Sequence, residues 1–135
     1  MLEDKVREYY LKKDANCAEA IVLGANEYYG LGLDEKAIKM ASGFGKGCGC
    51  GELCGALAGA LSVLSLLSVE ERAHTTPGFE QLCSDLVSGF RKRLGDIHCA
   101  QVRAKFFKEE VRCSDSVTAA AQFLEQYLKE HEKTR

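Results

Sequence analysis

The sequence predicts an all-α fold: a compact bundle of about five to six helices around a central apolar helix at about 52–68, which a glycine-rich loop precedes. Three observations predict it. Apolar residues recur at three- and four-residue spacing along most of the chain, and no stretch alternates with period two. The chain holds a single proline, Pro77, where helix interiors exclude that residue. With 135 residues it is expected to form one helical domain, 1–135, large enough to enclose its own core.

The elements follow in order. Residues 3–13 carry Val6, Tyr9, Tyr10 and Lys13 at helical spacing. Asp14 or Asn16 is a candidate N-cap for a second helix over about 17–29, which Gly30 and Gly32 end. Asp34 caps a third over roughly 35–43. The central helix at about 52–68 places Gly55, Ala56, Gly59 and Ala60 so that another helix can approach closely. Glu70 and Glu71 open a short helical turn before Pro77. A fifth helix over 79–94 has Leu82, Leu86, Phe90 and Leu94 on one face, with Gly95 behind it. A sixth runs from about Cys99 to Val111, and Ser114 or Asp115 caps the last, which ends in the charged tail Lys129 to Arg135.

Composition narrows the function. A net charge of −2, with no basic cluster beyond Arg91-Lys92-Arg93, argues against nucleic acid. The longest apolar run, Leu53 to Leu67, falls short of the ~20 residues of a membrane span. The charged start Met1-Leu2-Glu3-Asp4-Lys5 lacks the apolar core of a secretory signal, so a cytoplasmic location is expected. Seven cysteines are many for a reducing compartment, where lasting disulfides are rare, and they point to redox or metal chemistry.

Four of them, Cys17, Cys54, Cys99 and Cys113, fall at predicted helix N-termini. Unpaired N–H groups and the helix dipole concentrate positive charge there. A thiol in such a place can drop from about 8.5 to about 3.5–7.5, and the thiolate is the form that attacks disulfides or ligates metals. These four are the candidate catalytic residues, with Cys54 the expected central sulfur because its helix follows the glycine loop. In Gly43-Phe44-Gly45-Lys46-Gly47-Cys48-Gly49-Cys50-Gly51, the bare N–H groups of Gly47, Gly49 and Gly51 can hydrogen-bond sulfur or an anion, with Cys48 and Cys50 beside them as cofactor-binding candidates. Cys17, Cys50, Cys54, Cys99 and Cys113 are the candidate ligands for an iron–sulfur cluster or another iron or zinc centre. The C-x-C-x3-C string matches neither zinc modules nor ferredoxin runs. A nucleotide cradle is disfavoured, because a helical pattern precedes the loop and Gly-Lys-Ser/Thr is missing. Cys83, in mid-helix, reads as a small buried hydrophobe. His98 adjoins Cys99 as a polar residue near a helix cap that could also hold a metal, His74 and His131 read as surface residues, and Glu52 as a first-turn acid.

Asn16-Cys17-Ala18-Glu19-Ala20, the stretch from Gly43 to Gly59, and the following Cys99 and Cys113 together resemble the family of redox-active proteins named for a C-GCAxxG-C-C pattern. Where that pattern has Gly-Cys-Ala the chain reads Cys54-Gly55-Ala56, so Cys50 and Cys54 both compete for the central cysteine, and Gly59 favours Cys54. The resemblance implies a small helical fold and a redox role typical of anaerobic bacteria, and related domains look capable of holding an iron centre on these cysteines. Dithiol–disulfide exchange or electron transfer through a cluster is therefore the expected function, with an unspecified redox partner. A zinc- or iron-sensing module and a helical interaction domain with incidental cysteines are the alternatives. A homodimer through the small-residue helix is a further option.

Overall fold

The computed structural model describes residues 1–133; the last two residues of the charged tail lie outside the described residues. Among the described residues seven α-helices form: α1 Leu2–Lys12, α2 Cys17–Tyr29, α3 Glu35–Lys39, α4 Gly55–Ser68, α5 Phe79–Leu94, α6 Cys99–Phe106 and α7 Ser114–Glu130. Short 3-10 turns occupy Ser42–Phe44 and Ala73–Thr75. No strand occurs among the described residues, only isolated bridges between Leu53 and His98 and between Lys108 and Arg112. The all-α class stands. The seven helices are those enumerated from the sequence, with α3 and α6 shorter than expected. No helix is long and apolar enough to cross a membrane among the described residues.

Caps set most boundaries. Asn16, not Asp14, caps α2: its side-chain oxygen accepts from the Glu19 N–H at 2.9 Å, and the Glu19 carboxylate accepts from the Asn16 N–H at 2.9 Å. This reciprocal pair satisfies two of the donors that a helix start leaves open. Gly30 ends α2 in the left-handed conformation, and Gly95 does the same for α5. Three boundaries differ from the sequence expectation. The third helix stops at Lys39, and its expected last turn is the 3-10 turn at Ser42–Phe44. The central helix begins at Gly55, because Leu53 is drawn out of helical geometry to pair with His98. The sixth helix stops at Phe106: Phe107 is extended, and the Lys108 N–H donates to the Arg112 carbonyl at 2.9 Å in a tight turn.

α4 is the axis of the fold, with Gly55 through Ala60, Val63 and Leu64 all buried. Against it pack α2, α5 and α7, while α1 spans α2 and α7. Leu57, Leu64, Leu86, Phe90, Leu94, Leu124 and Leu128 fill the space between. The small-residue face of α4 receives α2 of the same chain. A Cβ added at Gly59 would stand 2.9 Å from the Ala18 carbonyl oxygen and 2.9 Å from Ile21 Cβ. That face is thus already occupied and does not offer itself to a second copy.

The contact sets a clear expectation. Gly59→Val must push α2 away from α4 and should lower stability by about 2 kcal/mol, read as a shifted midpoint in denaturant unfolding. Gly43→Ala, whose added Cβ would meet nothing within 4 Å, should change it by less than about 0.5 kcal/mol.

Candidate functional site: a thiol cluster at four helix starts

Each of the four singled-out cysteines stands at a helix start. Cys17 and Cys99 are the first residues of α2 and α6, and Cys54 and Cys113 are the N-caps of α4 and α7. Cys113 thus takes the cap position expected of Ser114 or Asp115. The fold brings these starts together. Gly55 lies so close to the Cys17 sulfur that a side chain there would collide with it, which sets Cys17 against the residue next to Cys54. The Cys54 N–H donates to the Ile97 carbonyl at 2.8 Å, and the Cys99 N–H donates to the Glu52 carbonyl. This short bridge fixes the start of α6 beside the start of α4. Glu52 therefore acts through its backbone, and its carboxyl is exposed.

The thiols feel one another's charge. Cys17 acts on Cys54, on Cys99 and on Cys113 alike. Cys17 is a neighbour that these three share. Burial opposes the helix starts. Cys54 is only 6% exposed, and desolvation pushes its thiol up to about 11, with the neighbouring Cys17 and Cys99 adding to the rise. The Leu57 and Ala56 N–H groups pull the other way without closing a cap hydrogen bond. Cys99 and Cys113, both half-buried, are raised chiefly by burial too. The thiol lowering expected at these helix starts is reversed for these three, because desolvation disfavours the charged form more than end-of-helix dipoles favour it.

Residues outside the cysteine pattern complete the site. Arg103, one turn after Cys99 on α6, favours the thiolates of Cys99 and Cys113 and stacks over the Phe107 ring at 4.0 Å. Arg112 also favours the Cys113 thiolate; it lies 4.4 Å from the Tyr10 ring centroid and donates to the Tyr10 carbonyl at 2.8 Å. The Tyr10 hydroxyl accepts from the Cys113 N–H at 3.1 Å, which ties α1 to the start of α7. The i,i+4 spacing of Cys99 and Arg103 was a usable signal, whereas nothing in the sequence points to Tyr10. His98 turns away from the sulfurs: its Nδ1 meets the Asp96 carboxylate at 2.8 Å, and the same Asp96 oxygen accepts from the backbone N–H groups of Ile97 and His98. The Asp96 carboxyl is held below its ordinary range by those donors, the His98 N–H foremost. His74 is exposed, and His131 stacks on Tyr127 with ring centroids 4.1 Å apart.

The glycine loop is a run of left-handed backbone. Lys46, Gly47, Cys48 and Gly49 have φ of 55°, 61°, 61° and 77°. For the non-glycine residues Lys46 and Cys48 this costs roughly 1–2 kcal/mol each. Gly47 lies against Cys99 Cβ so closely that no side chain fits, and a Cβ at Gly51 would stand 3.7 Å from Ala100 Cβ. Gly49 would meet nothing and 3.7 Å is an ordinary contact, so of the three singled-out glycines contact requires only Gly47, while Gly49 and Gly51 are favoured by their positive φ of 77° and 79°. Cys48 and Cys50 are exposed, and the Cys50 thiol is turned back to the Gly47 carbonyl at 3.6 Å. Cys83, expected as a buried hydrophobe, sits half-buried on α5 at the margin of the core. An open apolar groove of about 730 Å³, lined by Leu33, Met40, Phe44 and Leu66 among others, lies between α3 and the C-terminal half of α4 and touches none of the cysteines.

Soft thiolates suit iron or zinc in kind. Their placement does not: no group of three or more His, Cys, Asp or Glu side chains is arranged to hold a metal ion among the described residues. Cys54 is sealed by the core and Cys50 is turned to its own loop, so the set Cys17, Cys50, Cys54, Cys99 and Cys113 does not form a coordination shell.

Burial of Cys54 has a consequence at alkaline pH. Its folded thiol titrates about two pH units above an ordinary cysteine, so its contribution, on the order of 2 kcal/mol, is present below pH 9 and lost as pH rises towards 11. The tyrosines raised by burial act in the same direction. Thermal melting should therefore fall between pH 9 and 11, and Cys54→Ala should flatten that fall relative to the parent chain.

Comparison with known proteins bears on this arrangement. No curated protein and no solved structure matches the chain. A family model described as "Putative redox-active protein (C_GCAxxG_C_C)" matches residues 15–127, a span that holds all seven cysteines. The chain belongs to the C_GCAxxG_C_C family.

Proposed function

We propose that this protein is a dithiol–disulfide redox protein whose reacting sulfurs are Cys17, Cys54, Cys99 and Cys113, with Cys17 as the shared partner. One observation carries the reading: the Cys17 sulfur lies against Gly55, and Cys17 acts electrostatically on each of the other three thiols. Thiols so grouped exchange disulfides readily, because an attacking thiolate finds a resolving thiol within reach. The family description points to redox activity as well.

The exchange is a two-electron step. A thiolate of the protein attacks one sulfur of an external disulfide, whose S–S bond breaks; the departing sulfur leaves as a thiolate and takes a proton. A second protein thiol gives up its proton and attacks the sulfur of the mixed disulfide, releasing the other half. The protein has then lost two electrons and holds an internal disulfide, and the external disulfide has become two thiols. Arg103 and Arg112 favour the charged forms of Cys99 and Cys113. Cys54, protonated at neutral pH, enters last and serves as the buried end of the relay.

The reading is tested by equilibrating the reduced protein in a series of reduced and oxidised glutathione mixtures and mapping disulfides by mass spectrometry. One internal disulfide among Cys17, Cys54, Cys99 and Cys113 should form and reverse. Cys17→Ser should reduce its population at least about tenfold, and Cys83→Ser should leave it unchanged. Four thiols that stay reduced in every mixture, or that oxidise only between molecules, overturn the proposal.

A further inference from the structure

The four inner thiols are buried or half-buried, so a disulfide on another molecule meets other sulfur first. Two thiols stand outside them, and they are not equivalent. Cys50 gives its thiol hydrogen to the Gly47 carbonyl at 3.6 Å. Cys48 has no hydrogen-bond partner among the described residues, is exposed, and sits in the middle of the left-handed run Lys46–Gly49. That run is laid directly on the start of α6. Gly47 touches Cys99 Cβ, the Glu52 N–H donates back to the Gly47 carbonyl at 2.9 Å, and the Cys99 N–H donates to the Glu52 carbonyl. The loop is therefore a lid whose inner surface is Cys99 and whose outer surface carries Cys48. Cys48 adds to the rise at Cys99.

We infer that Cys48 is the entry sulfur: it takes the first bond from an external disulfide on the exposed face of the glycine loop and passes it to Cys99 beneath. The inference rests on the proposed dithiol–disulfide function and adds the route by which that function meets its partner. The Cys48 thiolate attacks one sulfur of the external disulfide, whose S–S bond breaks, and the departing sulfur picks up a proton from water. Cys99, its own proton released to water, attacks the Cys48 sulfur; the Cys48–partner bond breaks, the second half leaves as a thiol, and a Cys48–Cys99 disulfide remains. Cys17 then attacks the Cys99 sulfur, giving Cys17–Cys99 and restoring the Cys48 thiol. Two electrons pass from the protein to the external disulfide, and no further reactant is needed. Gly47 and Gly49 on either side of Cys48 supply the backbone freedom for the transfer.

The test uses the full reduced chain, oxidised glutathione as the external disulfide, acid quenching and peptide mass mapping. In the parent chain a glutathione adduct on Cys48 should rise and decay as the internal disulfide appears. Cys99→Ser should trap that adduct on Cys48. Cys48→Ser, an exposed change, should slow internal disulfide formation at least about tenfold while leaving its final extent unchanged, and Cys50→Ser should behave as the parent. Parent-like rates in Cys48→Ser, or an adduct trapped on another cysteine in Cys99→Ser, overturn the entry role and leave the inner chemistry standing. Absence of any internal disulfide in the parent chain overturns the function on which the route depends.

Discussion

The arrangement depends on how near two helices can come. α2 and α4 touch at backbone distance because Gly55 and Gly59 carry no side chain, and at Gly55 the atom that fills the space is the Cys17 sulfur. A larger residue there would separate the two helix starts and take Cys17 away from Cys54. The same residues therefore serve the core and the thiol cluster. This is why the fully buried stretch Gly55–Ala60 and the inner thiols meet at one end of α4.

Two opposing effects meet at that end. Helix starts offer positive potential to a thiolate, typically 0.3–1 kcal/mol in exposed settings and up to about 2 when partly buried. Removal from water acts against the charge and is the larger effect at Cys54, Cys99 and Cys113. The arginines shift the balance unequally. Arg103 favours the charged forms of Cys99 and Cys113, and Arg112 that of Cys113. Cys54 is the buried sulfur of the set, whereas Cys48 and Cys50 on the loop are exposed.

Much of this was legible in the sequence. Apolar periodicity and glycine and asparagine stops located the helices, and the small residues of α4 announced a close helix contact. The cysteines were seen to open helices because caps and stops are local signals. What escaped was set by long-range contacts. Leu53 leaves the central helix only because His98, far along the chain, pairs with it. The thiols rise instead of falling because burial is a property of the folded core that no local motif encodes. Tyr10 joins the site from α1 through a single hydroxyl, and His98 is claimed by Asp96 before it can reach a sulfur.

The backbone hand of Lys46–Gly49 carries one more consequence. L-residues wind right-handed by default, and a right-handed turn follows a different path through space from its mirror image. At Gly47, where the backbone rests on Cys99, a methyl group would already be a wedge between loop and helix. Winding the segment the opposite way, with glycine at the point of contact, lets the main chain lie flush on α6 and leaves Cys48 on the solvent side. At Lys46 the backbone asks a side-chain-bearing residue to tolerate an unfavourable turn, whereas Gly47 is confined by geometry to the one residue that lacks a side chain.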